Sequence, residues 1–133
     1  MISWRDFAKR EPDLARFGAG RLTAAPAYLA TVRKSGAPRV HPVTPIFAGD
    51  GLFLFMEPTS PKRRDLLERG FFALHSGVPD NAGTGGEFSA SGIGLAEDDP
   101  QLWALVAEAA GYDPPDRYVL FEFDPTRAAI VNT

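Results

Sequence analysis

The chain has no cysteine, which excludes disulfides, thiolate metal sites and a cysteine nucleophile. It has only two histidines, and neither stands with Asp or Glu at a spacing typical of metal ligands. The sequence also contains neither a P-loop nor a nucleophile elbow. We therefore predict no metal site, and any enzyme chemistry would be that of an organic cofactor held in a protein pocket.

The sequence also has no apolar run long enough to span a membrane and no recognisable signal peptide. We expect a cytoplasmic protein without a membrane partner, and the absence of disulfides fits this expectation. The net charge of −3 argues against general nucleic-acid binding. A length of 133 residues predicts a single domain over 1–133, and 12 prolines with 13 glycines indicate short elements joined by many turns.

One stretch in the middle of the chain predicts a strand, a tight connection and a helix. Leu52–Met56 is a short run of large apolar residues, typical of a buried strand. Ser60 suits the N-cap of a helix over Pro61–Arg69, proline suits its first position, and Gly70 suits the residue just past its end.

The first turn of this helix carries an unusual charge, because Lys62, Arg63 and Arg64 all fall in it. A helix N-terminus already bears about half a positive charge and unpaired N–H groups, so cations there are unfavourable. A bound phosphate would make these cations favourable instead of unfavourable, and it would also accept a hydrogen bond from the Ser60 hydroxyl. The stretch is consistent with a phosphate site, and the alternative is a solvated basic turn that tolerates the mild strain.

The rest of the chain predicts an antiparallel sheet. Ala27–Arg33 and Pro38–Ala48 form a hairpin whose second strand contains three prolines, so it should be an edge strand or bulged. The remaining predicted elements are a helix over Ser3–Gly18 that Pro12 breaks or restarts, strands Phe71–His75 and Glu87–Leu95, a helix from Pro100 to Ala110, and a last hairpin of Arg117–Asp124 and Arg127–Asn132 around Asp124-Pro125-Thr126. Counted as six strands and three helical segments, this pattern favours a small antiparallel barrel with helices at its openings.

The order of these segments resembles the pyridoxamine phosphate oxidase-like, FMN-binding split β-barrel family. The resemblance rests on Tyr28–Val32, Pro38–Val43, Leu52–Phe55, Ser60–Leu66 and Phe72–His75, in that order. It implies a mainly β fold, namely a six-stranded antiparallel split β-barrel of Greek-key type with flanking helices. It also implies a homodimer that holds FMN at its interface.

The same resemblance implies a set of cofactor-binding residues. For the FMN phosphate they are Arg39, Ser60 and Lys62, with Arg64 as a helper; for the flavin ring and ribityl chain they are Val40, Pro42, Val43, Thr44, Phe55 and Met56. It implies no particular catalytic residue.

The activity implied is that of an FMN-dependent oxidoreductase, which passes hydride through flavin N5 to or from an unknown small molecule. Two alternatives stay open: a reductase that uses the deazaflavin coenzyme F-420, and a non-catalytic flavin or haem carrier or sensor. Pro61 and Thr44 stand where the vitamin oxidases often carry basic residues, and their C-terminal substrate-binding segment has no counterpart here. Oxidation of pyridoxine phosphate is therefore not expected.

Overall fold

The computed structural model describes residues 3–24, 26–80, 82 and 85–131. These residues form one seven-stranded antiparallel sheet with four helices around it. The strands are β1 Ala27–Val32, β2 Pro38–Val43, β3 Ile46–Ala48, β4 Gly51–Met56, β5 Phe71–His75, β6 Glu87–Glu97 and β7 Val119–Val131, and the helices are α1 Trp4–Arg10, α2 Pro12–Ala24, α3 Pro61–Glu68 and α4 Pro100–Ala110.

The strand order β2-β1-β5-β6-β7-β4-β3 puts two consecutive strands, β2 and β3, at opposite edges of the sheet. Only Thr44 and Pro45 join them, so the sheet must curl until its edges approach each other. The result is the predicted mainly β split barrel. The predicted edge position of the proline-containing strand is also confirmed. The structure has seven strands, because the chain leaves β2 at Thr44 and Pro45 and begins the separate strand β3 at the other edge, whereas the two strands predicted at the end of the chain are one strand, β7.

The predicted last hairpin is wrong, because β7 is a single long strand that pairs with β6 from Leu120 to Val131. Its Asp124-Pro125-Thr126 segment forms a bulge opposite Ser91 and Gly92 instead of a turn. Proline has no N–H to give to the ladder, and an extra residue absorbs the interruption. A side chain on Gly92 would overlap the Asp124 carbonyl oxygen, so the bulge requires glycine there. Asn132 lies outside the described residues.

Helices α3 and α4 follow the predicted boundaries to within one residue, but the first predicted helix is divided and extends past its predicted end at Gly18 to Ala24. The predicted Ser3–Gly18 helix is two helices, α1 and α2, with the second beginning at Pro12. The Ser3 hydroxyl caps α1 by accepting from the Asp6 N–H over 3.1 Å. The helix after the central strand, α3, begins at Pro61 as predicted.

Two apolar clusters hold these layers together. The main core fills the inside of the curled sheet beneath α1 and α2, and its members include Trp4, Phe7, Leu22, Leu29, Phe88 and Phe121. A smaller cluster packs α4 against the other face of β4 and β7, through Val106, Phe53 and Leu120. Because side chains alternate between the two faces of β7, Phe121 packs into the main core and its neighbour Leu120 packs into the smaller cluster. The smaller cluster fixes α4 next to β4 and β3.

Within the part of the chain that the structure describes, no helix is both long and apolar enough to cross a membrane.

Candidate functional site

A cavity of about 540 Å³ lies beside the connection from β2 to β3. Five of the predicted cofactor-binding residues line it: Pro42, Val43, Thr44, Phe55 and Lys62. They come from the end of β2, the connection, the end of β4 and the first turn of α3. The topology therefore gathers residues that are up to 20 positions apart in the chain around one space.

Further walls of this cavity come from elements that the sequence did not connect with the site. They are Thr23 of α2, Ala109 and Ala110 at the end of α4, and Tyr112 just beyond it. The ring of Phe55 lies edge-on to Tyr112, with centroids 6.2 Å apart, and edge-on to Trp103 at 4.7 Å. Gly111 adopts the left-handed conformation that ends α4 and turns the chain to Tyr112. In the sequence, the only feature that could have indicated this contribution of Tyr112 is a glycine followed by an aromatic residue.

Lys62 is the cation of this cavity. Its ammonium donates to the Ser60 hydroxyl over 2.9 Å and forms no ion pair with any carboxylate in the described ranges. Burial lowers the pKa of Lys62, because a desolvated ammonium is less stable than a hydrated one. Ser60 occupies the N-cap position of α3, but its side chain does not cap the helix. A helix N-terminus and a partly buried cation thus lie together, and no described carboxylate pairs with that cation.

Two more nitrogen atoms near this point are buried without a hydrogen-bond partner among the described residues: Nε of Arg63 and Nε2 of His41. Arg63 donates through another nitrogen to the Pro58 carbonyl. Burial lowers the pKa of His41, and the charges of Lys62 and Arg39 lower it further. His41 therefore favours the neutral form, and the surroundings of its ring are electropositive.

Arg39 and Arg64 line a different cleft, of about 500 Å³, between α3 and the turn that joins β1 to β2. Arg39 donates through Nε to Asp65 over 2.9 Å. Asp65 is only 3% exposed and also accepts from the Thr31 hydroxyl at 2.7 Å and from Arg69 at 3.3 Å. Burial alone would raise the pKa of Asp65, but the hydrogen bonds from Thr31 and Arg39 and the nearby cations bring it below its ordinary value.

Two predicted residues point away from the cavity. The side chain of Val40 is 62% exposed on the outward face of β2, and Met56 is 1% exposed within the main core. Val40 shares its face of β2 with Pro42, which does line the cavity, so Val40 is separated from the cavity by its position farther from the β2–β3 connection and not by the alternation of faces. Within the described ranges, no three His, Asp or Glu side chains cluster so that they could hold a metal ion.

Comparisons with known proteins identify the fold. No family model and no curated protein matches the sequence. Among solved structures, the conserved hypothetical protein Rv2991 from Mycobacterium tuberculosis matches with a TM-score of 0.73 and 15% identity over 89% of this chain and 83% of its own. The heme storage protein HutZ from Vibrio cholerae matches with a TM-score of 0.68 and 18% identity over 91% and 94%.

A pyridoxamine 5′-phosphate oxidase-like protein from Listeria innocua also matches, with a TM-score of 0.68 and 16% identity over 86% of this chain and 95% of that protein. These matches cover nearly the whole chain, so they concern its architecture and not a fragment. The chain therefore has the same split-barrel fold as these proteins.

Proposed function

We propose that this split-barrel protein binds FMN in the cavity beside the β2–β3 connection and acts as a flavin-dependent oxidoreductase. The observation that carries the proposal is Lys62, a partly buried ammonium at the uncapped N-terminus of α3, whose one partner among the described residues is the Ser60 hydroxyl. A phosphate is the group that such a set of donors suits best, because it accepts several charge-assisted hydrogen bonds at once.

The residues present fit the rest of FMN as well. The cavity volume lies within the range typical of cofactor sites. Its walls combine apolar strand residues with the aromatic rings of Phe55 and Tyr112, which suit a flat ring system. In this proposal Pro42, Val43 and Thr44 lie along the ring or ribityl chain. Val40 takes part only through its backbone, and Met56 only supports the core beneath the end of β4.

Each part of the site would have a separate task. Lys62 and Ser60 would hold the phosphate and fix the direction of the cofactor, whereas Arg39, which the resemblance assigned to the phosphate, lines the other cleft. The apolar walls would exclude water from the ring. Bound FMN would supply hydride transfer through N5, so no protein nucleophile is needed. The electropositive surroundings of His41 would favour an anionic form of the bound ligand.

A second copy of the chain is part of the proposal. The outward face of three neighbouring strands, β2, β1 and β5, carries Val40, Tyr28 and Phe71, which are 62%, 48% and 57% exposed. Large apolar side chains grouped on a sheet face are typical of an interface. We propose a homodimer through this face, and a Val40→Lys variant should shift the protein towards monomer in sedimentation-velocity experiments.

A carrier or sensor without turnover is the second candidate, and the fold likeness to the heme storage protein HutZ favours it. The same cavity could hold a flavin without catalysis, or the fold could present a haem on another surface. The remaining alternative is that the protein is a reductase that binds the deazaflavin coenzyme F-420 in the cavity proposed for FMN.

The absorption spectrum of the purified protein, before and after addition of FMN, tests the proposal. Flavin absorption that co-elutes with the protein, followed by reduction with NADPH or NADH, is the expected result. A stable flavin complex that neither nucleotide reduces would favour the carrier. A haem spectrum with no uptake of FMN would overturn the flavin proposal.

A further inference from the structure

The cleft between α3 and the β1–β2 turn is strongly basic on an otherwise acidic protein. Its lining includes five cationic side chains and two carboxylates, a net charge of +3, whereas the whole chain has −3. Hereafter it is called the basic cleft. Three of its cations, Arg33, Lys34 and Arg64, form no ion pair with any residue that the structure describes. Like charges gathered without counter-charges repel each other, and a bound anion would remove that repulsion.

The geometry of Arg39 strengthens the case for a ligand. Its Nε is held by the buried Asp65 carboxylate, which fixes the direction of the guanidinium. Its two terminal nitrogens have no hydrogen-bond partner in the described part of the chain, and its side chain is 23% exposed. A guanidinium held from behind with a free fork in front is suited to bidentate recognition of a phosphate or carboxylate.

Arg69 provides the contrast. All three of its nitrogens are used, by the Val32 carbonyl and the carboxylates of Glu68 and Asp65. Arg69 is therefore fully hydrogen-bonded within the protein. The other four cations of the cleft are available to bind a ligand, namely Arg39, Arg33, Lys34 and Arg64.

We propose that the basic cleft is a second anion-binding site, distinct from the phosphate site at Ser60 and Lys62, and that it takes a phosphate or carboxylate group. Lys62 lines the other cavity and does not line this cleft. The proposal deepens the proposed function and partly rests on it. FMN carries a single phosphate, so a second anion site implies that the substrate, or a larger cofactor, is itself anionic.

The test uses the complete protein and two probes, inorganic pyrophosphate and citrate, titrated calorimetrically at low ionic strength. The test variant is Arg33→Gln/Lys34→Gln, which removes two exposed cations of the cleft. The matched control is Arg5→Gln/Arg10→Gln, which removes two exposed cations from α1, away from the cleft. We expect the test variant to bind pyrophosphate at least tenfold more weakly than wild type and the control to bind it unchanged.

The two probes separate the possible sources of the anion. Pyrophosphate binding without citrate binding assigns the site to phosphate groups, and binding of both extends it to carboxylates. Equal losses in the test and control variants would mean non-specific charge attraction and would overturn the proposal, as would an unchanged affinity in the test variant.

A parallel titration with FMN keeps this proposal apart from the proposed function. Arg33→Gln/Lys34→Gln should bind FMN as wild type does. If it loses FMN as strongly as pyrophosphate, the cleft is the cofactor's own phosphate site and the second site does not exist. If wild type binds pyrophosphate but no FMN, the proposed function fails while the basic cleft stands.

Discussion

Lys62 Nζ donates a hydrogen bond to Ser60 Oγ over 2.9 Å, two residues back, where the first turn of α3 meets the cavity. The Ser60 hydroxyl makes this contact and does not cap the helix N-terminus. A side-chain cap typically contributes about 1 kcal/mol to stability, so its absence has a cost. An anion at this point would interact with the ammonium, the hydroxyl and the helix end together, which is why the flavin proposal centres on this pair.

Asp65 should be the most costly charged residue to remove. Asp65→Ala leaves Arg39 and Arg69 without their buried partner and Thr31 without its acceptor, so we expect a loss of about 3–5 kcal/mol in the free energy of unfolding. Glu68→Ala, on the same helix but exposed, should cost at most about 1 kcal/mol. Urea denaturation measures both values. Equal losses for the two variants would show that the buried network contributes little.

Glu122 should make stability depend on pH near neutrality. Burial, helped by Asp124 and Glu97, raises the pKa of Glu122 from 4.5 to about 7. Between these values the folded state holds a proton that the unfolded state releases. The free energy of unfolding should therefore fall as the pH rises through this window, by about 1–3 kcal/mol.

Glu122→Gln removes this titration because the amide stays neutral at every pH. The variant should be more stable than wild type at pH 8 and show a flatter stability profile between pH 5 and pH 8. Denaturant unfolding at several pH values measures the effect. A wild-type profile that rises with pH across this window, or one that Glu122→Gln leaves unchanged, would contradict the prediction.

Gly92 should tolerate no side chain. Gly92→Ala places a methyl group against the Asp124 carbonyl in the β6–β7 bulge, and we expect a loss of about 1–3 kcal/mol or a failure to fold. Gly20→Ala is the matched control, since its new methyl group meets nothing within 4 Å on α2. Alanine is the better helix former, so that control should gain about 0.5–1 kcal/mol. Thermal melts of both variants give the comparison.

Tyr112 should contribute to flavin affinity through its ring and not through its hydroxyl. Tyr112→Ala removes the ring that lies beside Phe55, and we expect FMN to bind about 2- to 10-fold more weakly. Tyr112→Phe keeps the ring and should bind FMN within twofold of wild type. Fluorescence titration of FMN measures both. If the two variants lose affinity equally, the hydroxyl and not the ring carries the contact.

Much of the fold could be predicted from local signals. Pro61 marks the start of α3 and the prolines of β2 mark an edge strand, because proline fixes its own φ and has no N–H to donate. Gly70 marks the end of α3 because glycine readily adopts the positive φ of 82° found there. The last hairpin was mispredicted for the same local reason. Asp124-Pro125-Thr126 has the composition of a turn, and only pairing with the bulge at Gly92 keeps the chain extended.

The site could be predicted only in part. The resemblance proposed residues on β2, β4 and α3, and five of them do line one cavity. The contribution of α4 and Tyr112 depends on how α4 packs against β3 and β4, which no short sequence pattern encodes. The separation of Arg39 from Lys62 into two clefts depends on the Asp65 network, which joins residues far apart in the chain.

The most direct measurement of the central claim is the affinity of wild type and Lys62→Ala for FMN and for riboflavin, which lacks the phosphate. Lys9→Ala, an exposed lysine on α1, is the control. Loss of a charge-assisted contact of about 1.5–3 kcal/mol predicts that Lys62→Ala binds FMN about 10- to 150-fold more weakly and riboflavin unchanged. An unchanged FMN affinity in Lys62→Ala, or an equal loss for riboflavin, would contradict a phosphate site at Ser60 and Lys62.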